Sequence, residues 1–333
     1  MRAMVLAAGL GTRLRPITYS MPKPMVPVAN RPVMEHILRL LARQGFTEAV
    51  ANLHWFPDLI QDRFGDGSDC GVELTYSYEE QLLGTSGGVR KVADYLGDSF
   101  LIISGDALTD IDLRAMREFH ESHDGIATLA TKRVEDTTQF GVAITGADGR
   151  IQGFQEKPEA SEALSDLANC GIYMFRREIF DFFPASGTSK AAGPGDPDGF
   201  ADWAMDVFPR LLEGDVPFYS HEIDAYWNDI GNLEELWQST RDALAGAVEV
   251  ELPGELADGY RSGEPEAGEP AAAGPVLIGA GCEIGDDVRI DGPAVLGEGV
   301  RIGAGSRLRE VIALPGVELA PGSVLVGAIA ARR

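Results

Sequence analysis

The feature that most constrains the fold is a strict six-residue period near the C terminus. Large aliphatic residues recur there without a break, at Ile278, Ile284, Ile290, Leu296, Ile302, Leu308 and Leu314. A second inward series follows four residues after each of the first six: Cys282, Val288, Ala294, Val300, Ser306 and Ile312. A hexapeptide period is typical of a parallel β-helix, in which successive coils bury the same positions. The series weakens at Glu318 and Ala320, which predicts an end cap there.

The preceding part of the chain alternates short apolar runs with helical patterns. Strands are predicted at 5–8, 49–53, 72–76, 100–103, 129–132, 141–145, 151–155 and 171–175, and helices at 32–44, 112–123 and 233–244. This alternation predicts a three-layer α/β/α domain with a mostly parallel central sheet. The predicted boundaries are 1–246 for this domain, 247–274 for a linker rich in Gly, Glu, Pro and Ala, and 275–333 for the β-helix. Residues 185–199, rich in Gly, Pro, Ser and Asp, are predicted to form a surface loop.

The charge balance excludes some partners. The chain has 28 Lys and Arg against 52 Asp and Glu, a formal net charge of −24, whereas nucleic-acid binding requires clustered cations. We therefore expect neither nucleic acid nor an anionic membrane as a partner, and no apolar segment reaches the length of a membrane span. Three dispersed cysteines favour a reducing cytoplasm over a disulfide framework or a zinc site.

The first candidate site is a glycine-containing turn after a buried strand, Gly9-Leu10-Gly11-Thr12-Arg13-Leu14-Arg15-Pro16. Glycines allow close approach of a ligand, successive amides can form an anion nest, and arginines suit phosphate oxygens. Shortly afterwards Lys23 stands between two prolines, which fix its backbone. An ordinary turn and a solvated lysine are the alternatives for each feature alone. A dinucleotide fingerprint is rejected, because Leu14 occupies the third glycine position.

Two aspartates are candidate metal ligands. Asp106 follows the apolar run that ends at Ser104, at the predicted carboxyl edge of the sheet, where ligands of open α/β sheets bind. Asp229 follows a second strand-like run, Asp224 to Trp227. Two carboxylates from separate strand ends can share one Mg²⁺ ion. Each aspartate alone is equally compatible with a simple turn before or after glycine.

Two further motifs are candidate contacts for the substrate. Gly84-Thr85-Ser86-Gly87-Gly88 precedes a helix predicted near Val89, and a glycine-rich turn there can face a base or a phosphate. In Glu156-Lys157-Pro158, the acid can accept hydrogen bonds from sugar hydroxyls and the lysine can pair with a phosphate. A plain loop and an exposed charged turn are the alternatives.

In this order, the motifs resemble those of the sugar-1-phosphate nucleotidylyltransferase family with a left-handed β-helix tail. The resemblance covers about residues 1–231 and rests above all on G-x-G-T-R-L-x-P followed by P-K-P-M. It implies catalytic roles for Arg13, Lys23 and Asp106, and Mg²⁺ binding by Asp106 and Asp229. It implies nucleotide contacts from Leu6, Ala8, Gly9, Gly11, Thr12, Gly84 and Thr85. It also implies that the sugar-1-phosphate contacts Gly141, Glu156, Lys157 and Asn169.

The implied reaction joins a sugar-1-phosphate to a nucleoside triphosphate and releases pyrophosphate. The Leu83-to-Gly88 motif is most similar to the branch that uses mannose-1-phosphate and GTP, with thymidylyl or uridylyl transfer to glucose-1-phosphate as the alternative. A hexapeptide acyltransferase is disfavoured because no histidine follows His221. A non-catalytic nucleotide-sugar-binding paralogue is disfavoured because the charged site residues are all present. We interpret the tail as an assembly or regulatory module and expect a homo-oligomer, with the β-helix as its candidate interface.

Overall fold

The computed structural model of the protein describes residues 1–263 and 271–332. Residues 264–270 of the predicted linker, and residue 333, lie outside the described residues. The described chain forms two compact units, each made of several segments. The first contains residues 1–10, 21–24 and 37–229, and the second contains residues 11–20, 25–36 and 230–333. The domain boundaries predicted from the sequence stay a prediction.

Strands and helices alternate through the first 246 residues. The strands are β1 (Arg2–Leu6), β2 (Pro27–Val28), β3 (Arg31–Pro32), β4 (Glu48–Leu53), β5 (Glu73–Tyr78), β6 (Ser99–Ser104), β7 (Ala107–Thr109), β8 (Ala127–Arg133), β9 (Gly141–Thr145), β10 (Ile151–Glu156), β11 (Leu167–Arg176), β12 (Phe218–Glu222) and β13 (Trp227–Asp229). The helices are α1 (Val33–Arg43), α2 (Pro57–Phe64), α3 (Gly84–Lys91), α4 (Ala93–Leu96), α5 (Leu113–Ser122), α6 (Phe208–Glu213) and α7 (Leu233–Leu244). This pattern confirms the predicted α/β class.

The main sheet has nine strands in the path β10-β9-β11-β6-β1-β4-β5, with β8 beside β11 and β12 beside β8. The pairs among β6, β1, β4 and β5 are parallel, and so is the pair β8–β12. Strand β11 runs antiparallel to β6. The parallel part therefore carries the carboxyl ends of β1 and β6, and the antiparallel strands β9–β11 extend the sheet.

Aromatic side chains fill the core on the β11 side of this sheet. Phe175 of β11 stacks on Trp203 at a centroid distance of 4.6 Å, and Phe208 stacks on Phe218 at 6.0 Å. All four side chains are buried. Because aromatic pairs contribute through both burial and ring geometry, this cluster fixes β11 against the segment that carries Trp203.

Several local predictions need correction. Strand β1 begins and ends earlier than predicted. It ends at Leu6 because the Ala7 amide donates to the Asn52 side chain at 2.8 Å and leaves the ladder. Strand β11 is ten residues long. The elements that were not predicted are α2, α4, α6, β2, β3, β7 and β12. By contrast, the Asn232 side chain caps α7 as expected, accepting from the Glu235 amide at 2.9 Å. Residues 185–199 contain neither helix nor strand.

The C-terminal strands from Pro275 onward form the expected parallel coils, and two strands precede them. Together, in chain order, these strands are β14 (Glu255–Asp258), β15 (Tyr260–Arg261), β16 (Pro275–Ile278), β17 (Glu283–Ile284), β18 (Arg289–Asp291), β19 (Ala294–Leu296), β20 (Arg301–Ile302), β21 (Arg307–Ala313), β22 (Glu318–Leu319) and β23 (Val324–Ala330). Pairing is parallel for β16–β19, β17–β20, β18–β21, β19–β21, β20–β22 and β21–β23. Inside the stretch predicted as a linker, β14 and β15 add to this solenoid antiparallel to β16 and β18.

The predicted end cap at Glu318 is wrong. Val276 pairs with Ala294, an offset of one 18-residue coil, whereas Arg301 pairs with Glu318, one residue less. This deletion shifts the phase, so Leu319 takes the position opposite Ile302 and the coil continues through β23. The six-residue period breaks without ending the solenoid.

The β2–β3 hairpin belongs to the same compact unit as the solenoid. Asn30, in the left-handed region at φ 65°, donates from Nδ2 to the Leu296 carbonyl at 2.8 Å. Arg31 pairs with Glu251 at 3.0 Å and with Glu35 at 3.3 Å. The hairpin is therefore tied both to a backbone atom of a coil and to the segment after α7.

In the part of the chain that the structure describes, each helix is too short or too polar to cross a membrane.

Candidate functional site

Asp106 lies at the carboxyl edge of the sheet, two residues beyond the end of β6. Strands β1 and β6 finish level, with Leu6 opposite Ser104, and the Gly105 amide donates to the Leu6 carbonyl at 2.9 Å. The Ser104 hydroxyl donates to Asp106 Oδ1 at 2.6 Å. Strand register and this short hydrogen bond therefore fix the direction of the Asp106 carboxylate.

Lys23 joins the two predicted metal ligands. It opens a 3₁₀ turn between the two prolines, and only 8% of its surface is exposed. Its Nζ lies 2.7 Å from Asp106 Oδ2 and 3.2 Å from Asp229 Oδ1. Asp229 is the last residue of β13, which pairs antiparallel with β7 and places Asp229 opposite Ala107. Three residues from distant parts of the sequence thus meet at one point.

Lys23 and Asp106 are both charged at neutral pH. Burial alone lowers the pKa of Lys23, but the charges of Asp106 and Asp229 outweigh it and the pKa is raised. Burial alone raises the pKa of Asp106, but the Lys23 ammonium and the Ser104 hydroxyl outweigh it and the pKa is lowered. Two carboxylates and one ammonium leave a net negative charge at this point, which favours a further cation.

The donor chemistry fits Mg²⁺, since Mg²⁺ is commonly held by one or two carboxylates together with water and substrate phosphates. Within residues 1–263 and 271–332, no group of three or more His, Cys, Asp or Glu side chains could enclose a metal by itself. Asp106 and Asp229 would therefore hold such an ion jointly with a phosphate-bearing ligand.

The predicted nucleotide contacts Leu6, Ala8 and Gly9 lie at the end of β1, where a buried polar chain holds the backbone. Asn52 accepts from the Ala7 amide and donates to Glu79 Oε1, both at 2.8 Å. Glu79 is 1% exposed, and its Oε2 accepts from the Leu83 amide at 2.9 Å. Glu79 was missed by the sequence analysis, although it precedes the glycine motif by only five residues.

The glycine motif Gly84–Gly88 forms the first turns of α3, so this helix begins earlier than predicted. The amides of Ser86 and Gly87 donate to the Ala201 carbonyl at 3.0 and 3.2 Å. Gly84 has φ 76°, and a Cβ there would lie 2.3 Å from the same carbonyl oxygen. Glycine is required at this position both for its backbone conformation and for the close approach of residue 201.

The predicted sugar contacts Gly141 and Glu156 pair directly across strands β9 and β10. A Cβ at 141 would lie 2.9 Å from Glu156 Oε2, and Lys157 Nζ lies 3.6 Å from Glu156 Oε1. Burial above all, together with the charge of Asp202, raises the pKa of Glu156, while Lys157 opposes the shift. The side chains of Glu156 and Lys157 are half-exposed and can reach a ligand.

Asn169, the remaining predicted sugar contact, lies in β11 at a register shift. Its Nδ2 donates to the Tyr173 hydroxyl at 2.8 Å, and its Oδ1 accepts from the Gly171 amide at 3.2 Å. Burial raises the pKa of Tyr173, which therefore remains protonated. Tyr173 belongs to the quoted Asn-Cys-Gly-Ile-Tyr motif, but only the structure shows that it positions Asn169.

The remaining predicted residues, Gly11, Thr12 and Arg13, lie in the second unit. Gly11 adopts φ 61° and caps a 3₁₀ turn that contains Thr12 and Arg13. The Arg13 guanidinium is exposed and packs on Gly231, where a Cβ would lie 3.1 Å from Nη2. Among the described residues it has no carboxylate partner, which leaves its hydrogen-bond donors available for phosphate.

A cavity of about 820 Å³ lies elsewhere in the first unit. It is lined near the start of β6 and the end of β11 by residues that include Ser99, His120, Arg176 and Phe180. None of the predicted site residues lines it, so it is not the candidate site.

Comparison with known proteins identifies relatives of both parts of the chain. The family model described as nucleotidyl transferase matches residues 2–246, and that of the bacterial transferase hexapeptide (six repeats) matches residues 275–310. A UTP–glucose-1-phosphate uridylyltransferase of Synechocystis sp. is 36% identical over 98% of this chain and 86% of its own length. A mannose-1-phosphate guanylyltransferase of Mycobacterium tuberculosis is 35% identical over 91% of this chain and 81% of its own length. A solved structure from Bacillus anthracis, assigned as a glucose-1-phosphate thymidylyltransferase, superposes with a TM-score of 0.64 at 25% identity, over 75% of this chain and 97% of that one.

Proposed function

Since this chain belongs to the nucleotidyl transferase family, we propose that it transfers guanylyl from GTP to mannose-1-phosphate, giving GDP-mannose and pyrophosphate. The observation that carries the proposal is the meeting of Lys23 with Asp106 and Asp229 at the carboxyl edge of the sheet. The cluster offers a fixed ammonium for phosphate oxygens and two carboxylates for a divalent cation. The guanylyltransferase of Mycobacterium tuberculosis supports the choice of substrates.

The chemistry requires positioning and charge neutralisation. An oxygen of the sugar phosphate forms a bond to the α-phosphorus of the triphosphate, while the bond from that phosphorus to the bridging oxygen breaks and pyrophosphate leaves. The attacking oxygen is already anionic, so a general base is not needed. When bound, Mg²⁺ would neutralise phosphate charge beside Asp106 and Asp229.

The protein residues divide the remaining work. As the family resemblance implies, Lys23 and the Arg13 guanidinium would each contact the triphosphate and stabilise developing charge. Leu6, Ala8, Gly9, Gly11, Thr12, Gly84 and Thr85 would contact the nucleotide. Glu156 would accept hydrogen bonds from sugar hydroxyls, and Lys157 would pair with the sugar phosphate. Gly141 and Asn169 would be further contacts of the sugar-1-phosphate.

Pyrophosphate release tests the proposal directly. GTP, dTTP, UTP, CTP and ATP are each combined with mannose-1-phosphate and with glucose-1-phosphate, in Mg²⁺ and in EDTA. We expect turnover only with both substrates and Mg²⁺, fastest for GTP with mannose-1-phosphate, and expect it to be lost in Lys23→Met. A folded wild-type protein that binds a nucleotide-sugar but turns over no pair contradicts the enzyme assignment and favours a regulatory paralogue.

A second candidate is uridylyl transfer to glucose-1-phosphate, which the Synechocystis relative favours. The same grid separates the two, because UTP with glucose-1-phosphate would then be the fastest pair. We further propose a homo-oligomer with the β-helix at its interface, and cytoplasm as the compartment, the latter on the basis of three free cysteines. Light scattering of the full chain and of a chain truncated after residue 252 tests the oligomer.

A further inference from the structure

Residues 199–207, here called the wall segment, contact the glycine motif through Ala201, Asp202 and Trp203. The Ala201 amide donates to the Leu83 carbonyl at 2.9 Å, and the Ala201 carbonyl accepts the two amides described above. The Thr85 hydroxyl donates to Asp202 Oδ2 at 2.7 Å, and its oxygen accepts from the Trp203 amide at 3.1 Å. We call the Thr85–Asp202 hydrogen bond the latch, because it is the side-chain contact between the two segments that involves a charge.

Two aspartates give the wall segment its shape. Asp202 Oδ1 accepts from the Ala204 and Met205 amides at 2.9 and 3.0 Å, which caps the π-helical turn Trp203–Val207. Asp206 is 3% exposed and accepts from the Asp202 amide at 2.9 Å. Because one oxygen of Asp202 serves the cap and the other serves the latch, the carboxylate has a fixed orientation. A π-helical turn is rare and is frequently found at functional sites.

The other side of the wall segment adjoins the proposed sugar contacts. The Trp203 ring packs on Tyr173 at a centroid distance of 5.8 Å, and Tyr173 in turn holds the Asn169 amide. The charge of Asp202 acts on Glu156 and raises its pKa, second only to burial among the groups that raise it. The segment thus touches the glycine motif on one side and the groups that would hold the sugar on the other.

We propose that Asp202 is a positioning residue of the sugar-1-phosphate site, which it fastens to the nucleotide-binding turn through the latch to Thr85. This inference rests on the proposed function. The latch keeps the wall segment, and with it Tyr173 and Asn169, at a fixed distance from the turn that receives the nucleotide. The charge of the Asp202 carboxylate also acts on Glu156.

Thr85→Val removes the latch and the acceptor of the Trp203 amide, while keeping side-chain shape and the Asp202 charge. At saturating nucleoside triphosphate, so that a change in nucleotide contact by Thr85 does not enter, we expect the KM for the sugar-1-phosphate to rise about tenfold, as for loss of a hydrogen bond to a charged group. Thr85→Ser keeps the hydroxyl and restores a near wild-type KM. Asp202→Asn keeps the capping oxygen, since asparagine is an equally good N-cap. Asp202→Asn also removes a negative charge that raises the pKa of Glu156. The pKa of Glu156 should therefore fall, and the acid limb of kcat/KM for the sugar-1-phosphate should move to lower pH.

Asp112 provides the matched control, because it caps α5 in the same way through the Arg114 and Ala115 amides and, among residues 1–263 and 271–332, has no such latch. Asp112→Asn should change neither the KM nor the acid limb. If the wild type is active, any of three results overturns the proposal: Thr85→Val has the same KM as the wild type, Thr85→Val and Thr85→Ser are equally impaired, or Asp202→Asn leaves the acid limb in place. Calorimetric affinity for GDP-mannose and UDP-glucose gives a second readout for a protein without turnover. An unchanged affinity in Thr85→Val then refutes the latch independently of the proposed reaction.

Discussion

One added methyl group at Gly231 is expected to weaken use of the triphosphate through Arg13. An ideal Cβ at residue 231 would lie 3.1 Å from Arg13 Nη2 and 3.2 Å from its Cζ and Nη1, where ordinary contacts begin at 3.4 Å. In Gly231→Ala the guanidinium must therefore retreat by a few tenths of an ångström. Since a misplacement of about 1 Å can cost about a hundredfold in rate, we expect kcat/KM for the triphosphate to fall about three- to tenfold.

The assay is pyrophosphate release at varied triphosphate and saturating sugar-1-phosphate. Gly193→Ala is the control, because its Cβ would meet only Asp196 Oδ2 at 3.5 Å in the surface loop. A double-mutant cycle with Arg13→Ala isolates the coupling. If Gly231→Ala lowers kcat/KM by the same factor in the Arg13→Ala background as in the wild type, the methyl group does not act through Arg13 and the reasoning is refuted.

Three further predictions concern metal, backbone and pH. Asp106→Asn should raise the Mg²⁺ concentration for half-maximal turnover and lower kcat about a hundredfold, measured by metal titration, because one of two carboxylates is lost; an unchanged Mg²⁺ dependence would exclude Asp106 as a ligand. Gly84→Ala should lower the free energy of unfolding in urea by about 2–4 kcal/mol, whereas Gly45→Ala, with φ 84° and open space around its Cβ, should cost about 1 kcal/mol; equal losses would show that the Ala201 carbonyl can yield. Burial, then His123 and Arg176, lowers the pKa of His120 to about 4 from an ordinary 6.5. The folded state therefore keeps its full stability above pH 6.5, where His120 is neutral in both states. As the pH falls toward 4, the free energy of unfolding decreases by up to about 3 kcal/mol, because the unfolded state takes up the proton first. His120→Asn should flatten the melting temperature over that range, and an unchanged slope would contradict the assignment.

The central cluster could be predicted because each of its members carries a local signal. Asp106 ends an apolar run, Lys23 stands between prolines, and Asp229 precedes an Ile-Gly turn. In an open α/β sheet, carboxyl strand ends share one edge, so topology alone brings such residues near each other. Their distances and the way Lys23 bridges both carboxylates needed the structure.

Asp202 could not be predicted, because its partner Thr85 lies 117 residues away in the sequence. The glycine motif gave no sign of which backbone it would contact, and residues 199–207 carry no period that distinguishes them from the preceding loop. Similarly, the solenoid was predicted to end where its period broke, since a one-residue deletion and a terminus look alike until strand pairing is known.

The tie between Asn30 and the Leu296 carbonyl bears on how such chains can diverge or be recombined. The acceptor is a main-chain oxygen, so residue 296 can change identity without loss of this hydrogen bond, provided that the coil keeps its backbone path. An insertion or deletion before residue 296 would move the carbonyl acceptor and leave the Asn30 side chain without this hydrogen bond. The ion pair of Arg31 with Glu251, by contrast, demands particular side chains on both partners. Chimeras that exchange the solenoid between relatives should therefore tolerate wide sequence differences within the coils, yet fail unless hairpin and post-α7 segment are transplanted together.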